Sequence, residues 1–137
     1  MKDSANNNPR NYILPRSRIL RGREAVQRLF RRGRVARERH MDLRYELLSG
    51  QTGICLVAFI AGKRLGKAHE RNLTRRRMRE AFRQHQHLIR DPAESGHAGF
   101  KGIFIAKKAC VPFRTIEQEC IRLLTNVQHR MREQQQP

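Results

Sequence analysis

The residues best suited to chemistry in this sequence are four arginines spaced four residues apart. They are Arg71, Arg75, Arg79 and Arg83. On a helix, residues at this spacing form a stripe that turns slowly over about 120° of the surface. A guanidinium group grips a phosphate through two parallel hydrogen bonds, whereas a charged face that only meets solvent usually carries Glu between its cations. Only Glu70 and Glu80 are available to this stretch, so we interpret the stripe as a phosphate-binding surface.

The charge of the whole chain supports this interpretation. The sequence has 30 Lys and Arg against 12 Asp and Glu, which gives a formal net charge of +18 at pH 7. A compact body with that charge repels itself and is destabilised unless a polyanion shares its field. Because arginine dominates over lysine, we expect the partner to carry phosphates.

Hydrolysis by the protein itself is disfavoured by the positions of its carboxylates. A two-metal site needs several convergent carboxylates, and the twelve here are scattered along the chain. Asp42 and Glu46 share a strand face, but Arg44 lies between them, which predicts an ion-paired surface row. His40 and His69 adjoin charged residues without forming a recognisable catalytic set. A free-standing nuclease is therefore the weaker interpretation.

Zinc and nucleotide sites are also disfavoured. The three cysteines include no CxxC pair, and His85 and His87 would point about 200° apart on a helix. The loop 62–67 contains two glycines and basic residues, but it lacks the spacing and the Ser or Thr of a phosphate-binding P-loop. We expect the protein to bind no metal ion tightly and no nucleotide cofactor.

Hydrophobic periodicity predicts the elements that position these residues. They are helices over 23–32, 68–89 and 115–131 and strands over 41–47, 54–61 and 103–106. Val26, Leu29 and Phe30 fall on one stripe of the first helix, which Gly33 is placed to end. Apolar residues alternate with charged ones over 41–47, as in a half-buried strand. Thr115 is the predicted cap of the last helix, and 91–99 is a predicted loop.

Both ends of the chain are predicted to lie outside the folded domain. Residues 1–15 are polar and predict a disordered arm, and 132–137 predict a disordered tail, which leaves one α+β domain over 16–131. The sequence has no signal-peptide core and no apolar run near the roughly 20 residues that a membrane-spanning helix requires. An odd number of distant cysteines fits a reducing compartment. We expect a cytoplasmic protein without a membrane partner.

The run from Gly62 to Arg76 resembles the basic, glycine-containing loop and the Arg-Asn-Arg helix of bacterial ribonuclease P proteins. The segments 18–20 and 29–33 resemble the family's first helix, and 103–108 resembles its last strand. The likeness extends from about Ser17 to Val127 in the family's order. It implies an α+β fold with a small, mostly antiparallel sheet and the element order αβββαβα.

The resemblance also implies a function as a subunit of a ribonucleoprotein enzyme. In this family a catalytic RNA cleaves precursor tRNA at the 5′ end of the mature sequence, with magnesium ions held mainly by RNA phosphates, and the protein carries no catalytic residue. The residues implied to bind the RNA subunit are Lys63, Arg64, Lys67, Arg71, Asn72, Arg75, Arg76 and Arg79. Those implied to bind the single-stranded 5′ leader of the precursor, between the first helix and the sheet, are Phe30, Tyr45 and Arg18. A basic groove with aromatic platforms suits a single strand, although core packing is the alternative for both rings.

Two positions depart from the family pattern. The second arginine of the Arg-Asn-Arg motif is Leu73, and the early aromatic of the first helix is Val26. The second change leaves Phe30 and Tyr45 as the main aromatic candidates. The alternative function is that of a ribosomal-type RNA-binding protein with a similar charge, which would co-purify with ribosomal RNA.

Overall fold

The structure, a computed structural model, describes residues 13–51, 53–96 and 98–133. The helices are α1 (Arg23–Arg32), α2 (Ala68–His85), α3 (His87–Glu94) and α4 (Phe113–Glu133), and the strands are β1 (Arg34–Arg37), β2 (Met41–Leu48), β3 (Cys55–Ile60) and β4 (Gly99–Ala106). The sheet has the order β1-β2-β4-β3. Only β3 and β4 pair in parallel among these strands. The predicted α+β class and mostly antiparallel sheet are confirmed, and α3 is added to the predicted order αβββαβα.

Alternation along β2 decides which of its side chains reach the core. Met41, Leu43 and Tyr45 are buried and belong to the main hydrophobic cluster, which includes residues of α2, α3 and α4. The charged residues between them lie on the opposite face of the sheet and are half-buried. On that face Leu29 of α1 packs with Ile103 in a second, smaller cluster. The sheet therefore has α2, α3 and α4 on one face and α1 on the other.

The single long helix predicted over 68–89 is wrong, and so is the loop predicted over 91–99. The helix stops at His85, and α3 continues to Glu94 with Pro92 inside it. Proline has no N–H to donate to the carbonyl four residues earlier. That carbonyl belongs to Leu88 and accepts a hydrogen bond of 3.1 Å from Nε2 of Gln128 in α4. A partner distant in sequence thus compensates for the proline, which local sequence cannot predict.

Strand β4 is longer than the strand predicted over 103–106, because the glycines in its first half do not predict a strand. Gly102 lies inside the strand, and a Cβ there would come within 2.4 Å of Cζ of Phe100. The glycine therefore makes room for a buried aromatic ring instead of forming a turn. At the other boundary α4 begins at Phe113, so Thr115 lies in its first turn and is not its cap.

Gly33 ends α1 as predicted, but its backbone is extended (φ −70°) and not left-handed. Its small size is needed because a Cβ would lie 2.5 Å from the carbonyl oxygen of Leu29. The chain then enters β1, a strand that only the family resemblance implied.

Little of the two predicted tails is described. Residues 13–15 are the described part of the predicted arm, and Leu14 packs against the main core. Arg132 and Glu133 belong to α4, and the rest of both tails lies outside the described residues. Among the helices that the structure describes, none is long and apolar enough to cross a membrane.

Candidate nucleic-acid interface

Helix α2 divides into a buried face and an exposed basic face. Its buried residues are Thr74, Met78, Ala81 and Phe82. The opposite side carries Asn72, Arg76 and Arg79, all exposed, with half-buried Arg75 beside them. We call these four residues the arginine face. Arg76 and Arg79 form no ion pair with any residue that the structure describes, so both guanidinium groups are available to a ligand.

Two residues of the arginine face are held together by hydrogen bonds. Arg75 donates one Nη2 hydrogen bond to the side-chain oxygen of Asn72, and its Nη1 donates to the carbonyl oxygen of Ala61 at 3.3 Å. These contacts fix the guanidinium at the end of β3. Because a fixed guanidinium loses little rotamer freedom on binding a phosphate, Arg75 is pre-organised for that contact.

The predicted four-arginine stripe is only partly available to a ligand. Arg71 is half-buried, and its Nε is enclosed without a hydrogen-bond partner among the described residues. Arg83 forms an ion pair with Glu80, in which the hydrogen bonds from Arg83 and Gln84 lower the pKa of Glu80 to about 2. Arg79 is exposed. The surface available to a ligand is therefore the arginine face and not a row of four arginines.

The arginine face borders a groove at the β3 edge of the sheet. The groove has a volume of about 420 Å³ and is lined on its other side by Ile19, Leu20, Ala58 and Phe59. The segment before α1 forms this wall because Leu20 donates a backbone hydrogen bond of 2.8 Å to the carbonyl of Val57. The floor is therefore apolar and the rim is basic, an arrangement that can hold a phosphate backbone with its sugars or bases inside.

The basic loop delivers further cations to the start of α2. Lys63, Arg64 and Lys67 are all exposed, and the first two lie in a short turn of 3-10 helix, Lys63–Leu65. The helix begins where the Glu70 side chain accepts a hydrogen bond of 2.7 Å from the backbone N–H of Lys67. Gly66 permits this contact, since a Cβ there would lie 2.5 Å from Oε1 of Glu70. The predicted loop cations thus lie directly before the helix that carries the arginine face.

A second candidate surface lies where α1 meets β2. The Phe30 ring is 44% exposed. The Arg44 guanidinium carbon lies 5.2 Å from the ring centroid, and Arg44 Nη1 donates to the Phe30 carbonyl at 3.2 Å. We call Phe30 and Arg44 the stacking platform, because a base can stack on an aromatic ring or on a guanidinium plane. Sequence reasoning assigned Arg44 to an ion-paired surface row and missed its contact with Phe30.

Tyr45 does not belong to this platform, which corrects the expectation of an exposed ring. Its side chain is 1% exposed, and its ring stacks on Phe100 with centroids 6.3 Å apart. The residue faces away from α1 because it alternates with Arg44 along β2. Arg18 is half-buried and lies beside Cys55 at the start of β3. That strand is two positions from β2 in the sheet, so Arg18 and Phe30 are not neighbours.

The carboxylates near the stacking platform are neutralised by cations from other elements. Glu46 accepts from Arg28 of α1 at 3.0 Å, and hydrogen bonding to that guanidinium lowers the pKa of Glu46. Asp42 pairs with Lys107 at 2.9 Å. The two carboxylates of the predicted ion-paired row are therefore paired, but with Arg28 and Lys107 instead of Arg44. Pairing reduces the repulsion that these two acids would exert on an anionic ligand.

No three His, Cys, Asp or Glu side chains come together in a metal-binding group within the described ranges. The carboxylates of β2 are engaged by Arg28 and Lys107, and two histidines pair with acids of α4. His40 lies 2.5 Å from Glu119 and His85 lies 2.9 Å from Glu117. These pairs attach α4 to the β1–β2 turn and to α2, and we interpret them as structural.

Comparison with known proteins places these surfaces in context. A sequence model of the ribonuclease P family matches residues 14–128 of the chain. The ribonuclease P protein of Staphylococcus aureus has a similar structure, with a TM-score of 0.65 and 19% identity over 80% of this chain and 94% of that one. The corresponding protein of Thermotoga maritima gives a TM-score of 0.65 and 22% identity over 79% of this chain and 96% of its own. None of the curated proteins compared is similar enough in sequence to count as a relative. At these identities the two structures establish a shared fold.

Proposed function

The chain belongs to the ribonuclease P protein family, and on that premise we propose that it binds a catalytic RNA and the 5′ leader of precursor tRNA to promote removal of the leader. The product is the mature 5′ end of a tRNA. The protein acts in the cytoplasm as the non-catalytic subunit of a ribonucleoprotein endonuclease. Family membership also favours this role over that of a ribosomal RNA-binding protein.

The observation that carries the proposal is the arginine face. Arg76 and Arg79 are exposed beside an apolar groove, and Arg75 is fixed next to them by Asn72 and Ala61. Such a surface favours the phosphates of a nucleic-acid backbone, because guanidinium contacts to phosphate release condensed counterions. We assign this surface, with Lys63, Arg64, Lys67 and Arg71, to the RNA subunit.

We assign the 5′ leader to the stacking platform of Phe30 and Arg44. Both groups offer flat surfaces on which unpaired bases stack with little sequence preference, and the nearby carboxylates are neutralised. Arg18 lies further along the sheet, so it would contact a different part of the leader. Tyr45 lies on the opposite face of the sheet and supports the platform from there.

We assign the magnesium ions to RNA phosphates. Phosphate oxygens are the hard ligands that magnesium prefers, whereas Asp42 and Glu46 are occupied by Lys107 and Arg28. The protein's part is then to position RNA, which needs no carboxylate of its own.

Reconstitution with a ribonuclease P RNA tests the proposal. The wild-type protein should bind the RNA and promote magnesium-dependent cleavage of a precursor tRNA at the leader junction. Replacing Arg76 and Arg79 with Gln should lower the slope of log affinity against log salt by about 1.8, since each lost phosphate contact accounts for about 0.9. A matched control is Lys108→Gln with Arg114→Gln, two exposed cations outside the arginine face and the platform.

Two results would contradict the proposal. One is an arginine-face variant that binds the RNA as the control does at every salt concentration. The other is magnesium-dependent cleavage by the protein alone, without RNA, which would identify a free-standing nuclease. Circular dichroism of both variants checks that the fold is unchanged.

A further inference from the structure

A second basic groove lies between the edge strand β1 and helix α4, away from the arginine face. Its volume is about 590 Å³. The residues that line it include the whole of β1, Glu38, Arg122, Asn126 and Arg130, with Tyr45 and Leu123 on the core side. We call it the β1–α4 groove. Neither the family resemblance nor the arginine stripe pointed to it.

Both walls of the groove carry cations. Arg122, Asn126 and Arg130 are spaced four residues apart, so they form a row about 12 Å long on one side of α4. On β1, Arg34 pairs with Tyr45 and therefore lies on the α4 side of the sheet, whereas Arg37 pairs with Asp42 and lies on the α1 side. Arg34 therefore faces the arginines of α4 across the groove.

The charges of the groove are mostly uncompensated. Glu38 is the one carboxylate that the lining contains, and Arg122 donates to its Oε1 at 2.8 Å. Arg34 and Arg130 are exposed and form no ion pair with any residue in the described part of the chain. Two unpaired guanidinium groups that face one concave surface repel each other. An anionic ligand would relieve that repulsion.

The β1–α4 groove and the arginine face lie at opposite edges of the sheet. The strand order β1-β2-β4-β3 puts three strand spacings between β1 and β3, or about 14 Å. One phosphate contact cluster cannot occupy both surfaces. A ligand in the β1–α4 groove is therefore a separate segment from the one on the arginine face.

We propose that the β1–α4 groove binds the sugar–phosphate backbone of an RNA strand, as an RNA contact separate from the arginine face and the stacking platform. The proposal rests on the proposed function in that it takes RNA as the partner. An acidic peptide that extends the sheet at β1 is the other occupant that the charge allows. The strand disfavours it, because β1 has only four residues and an arginine at each end, which are features that block strand addition.

The test compares four full-length proteins: the wild type, the groove variant Arg34→Gln with Arg130→Gln, the arginine-face variant Arg76→Gln with Arg79→Gln, and the control Lys108→Gln with Arg114→Gln. Each is titrated over a range of salt concentrations in two assays. One measures binding to ribonuclease P RNA, and the other measures binding of leader-bearing precursor tRNA to the reconstituted holoenzyme. All the replaced residues are exposed, and thermal unfolding checks that each variant is folded.

We expect the groove variant to lower the salt slope by about 1.4 for one of the two RNAs, as two lost contacts to a single strand imply. At about 0.1 M monovalent salt this is a roughly 25-fold loss of affinity through counterion release. The RNA that loses affinity is the one that occupies the groove. A groove variant that matches the control for both RNAs overturns the inference and leaves the proposed function standing. If instead the wild-type protein does not bind ribonuclease P RNA, the proposed function fails and the inference fails with it.

Discussion

Replacing Phe30 with Ala tests whether the stacking platform holds the leader. The ring is 44% exposed and covered on one side by the Arg44 guanidinium. Stacking of a base on an aromatic ring is worth about 1–3 kcal/mol, so losing one stacked base should weaken binding by roughly 5- to 150-fold. The affected ligand is precursor tRNA with a leader. Mature tRNA has no leader and should bind the reconstituted holoenzyme as before.

The stability cost of this change should be modest because the ring is only partly buried. Removing a fully buried Phe costs about 3–5 kcal/mol, and Phe30 keeps nearly half of its surface in water. We expect a loss of about 1–2 kcal/mol in the free energy of unfolding, which urea denaturation would measure. The matched control is Phe113→Ala, which removes a half-buried ring at the start of α4. It should lower stability without changing the preference for the leader.

Arg44 provides the second half of the test. If Phe30 and Arg44 act as one platform, the effects of Phe30→Ala and Arg44→Gln on leader affinity should not add, because each removes a surface that the other orders. Equal losses of affinity for precursor and mature tRNA would refute the reasoning, since the platform would then contribute to the fold or to the RNA-subunit contact. Additive effects would mean that the two groups contact different parts of the leader.

Two further predictions follow from burial. Tyr45→Ala should reduce the free energy of unfolding by about 3–5 kcal/mol, as for other buried aromatics, and Tyr45→Phe should leave leader affinity unchanged; a specific loss of leader binding by Tyr45→Phe would return the residue to the binding surface. In a thiol-labelling assay of the native protein at mildly alkaline pH, Cys110 should react alone. It is exposed, whereas burial raises the pKa of Cys55 to about 12 and also raises the pKa of Cys120, so fast reaction of two or three thiols would contradict the packing.

The sequence predicted the elements whose pattern is local. Helix α1 has the predicted bounds, Arg23–Arg32, because its apolar stripe and Gly33 lie within a few residues of each other. The alternation along β2 predicted which of its residues are buried. The break at Gln86 was missed because Gln86 is buried and bonded to residues before and after it, Ile13 and Arg90 among them. The contact with Ile13 joins residues that are distant in sequence and leaves no periodic signal.

The sequence predicted the types of residue that form the candidate site better than it predicted where they lie. The basic loop and the arginine face follow from a helical spacing, which is local. Tyr45 was misplaced because an aromatic ring is typical of a base-stacking surface, although the β2 alternation groups it with the apolar residues Met41 and Leu43. The same alternation groups Arg44 with the polar residues, and its contact with Phe30 needed the structure because that ring belongs to another element.

The proposed binding surfaces are distinguished less by the positions of their arginines than by the shortage of carboxylates that could pair with them. With 30 basic residues against 12 acidic ones, most cations cannot have an acidic partner, and the fold distributes the acids unevenly. Around the stacking platform and at the mouth of the β1–α4 groove, Glu46 and Glu38 neutralise single arginines. No carboxylate reaches Arg76 or Arg79 within the described residues. Net charge alone therefore predicts a strong salt dependence of RNA binding, whereas the pairing pattern predicts which substitutions change its slope.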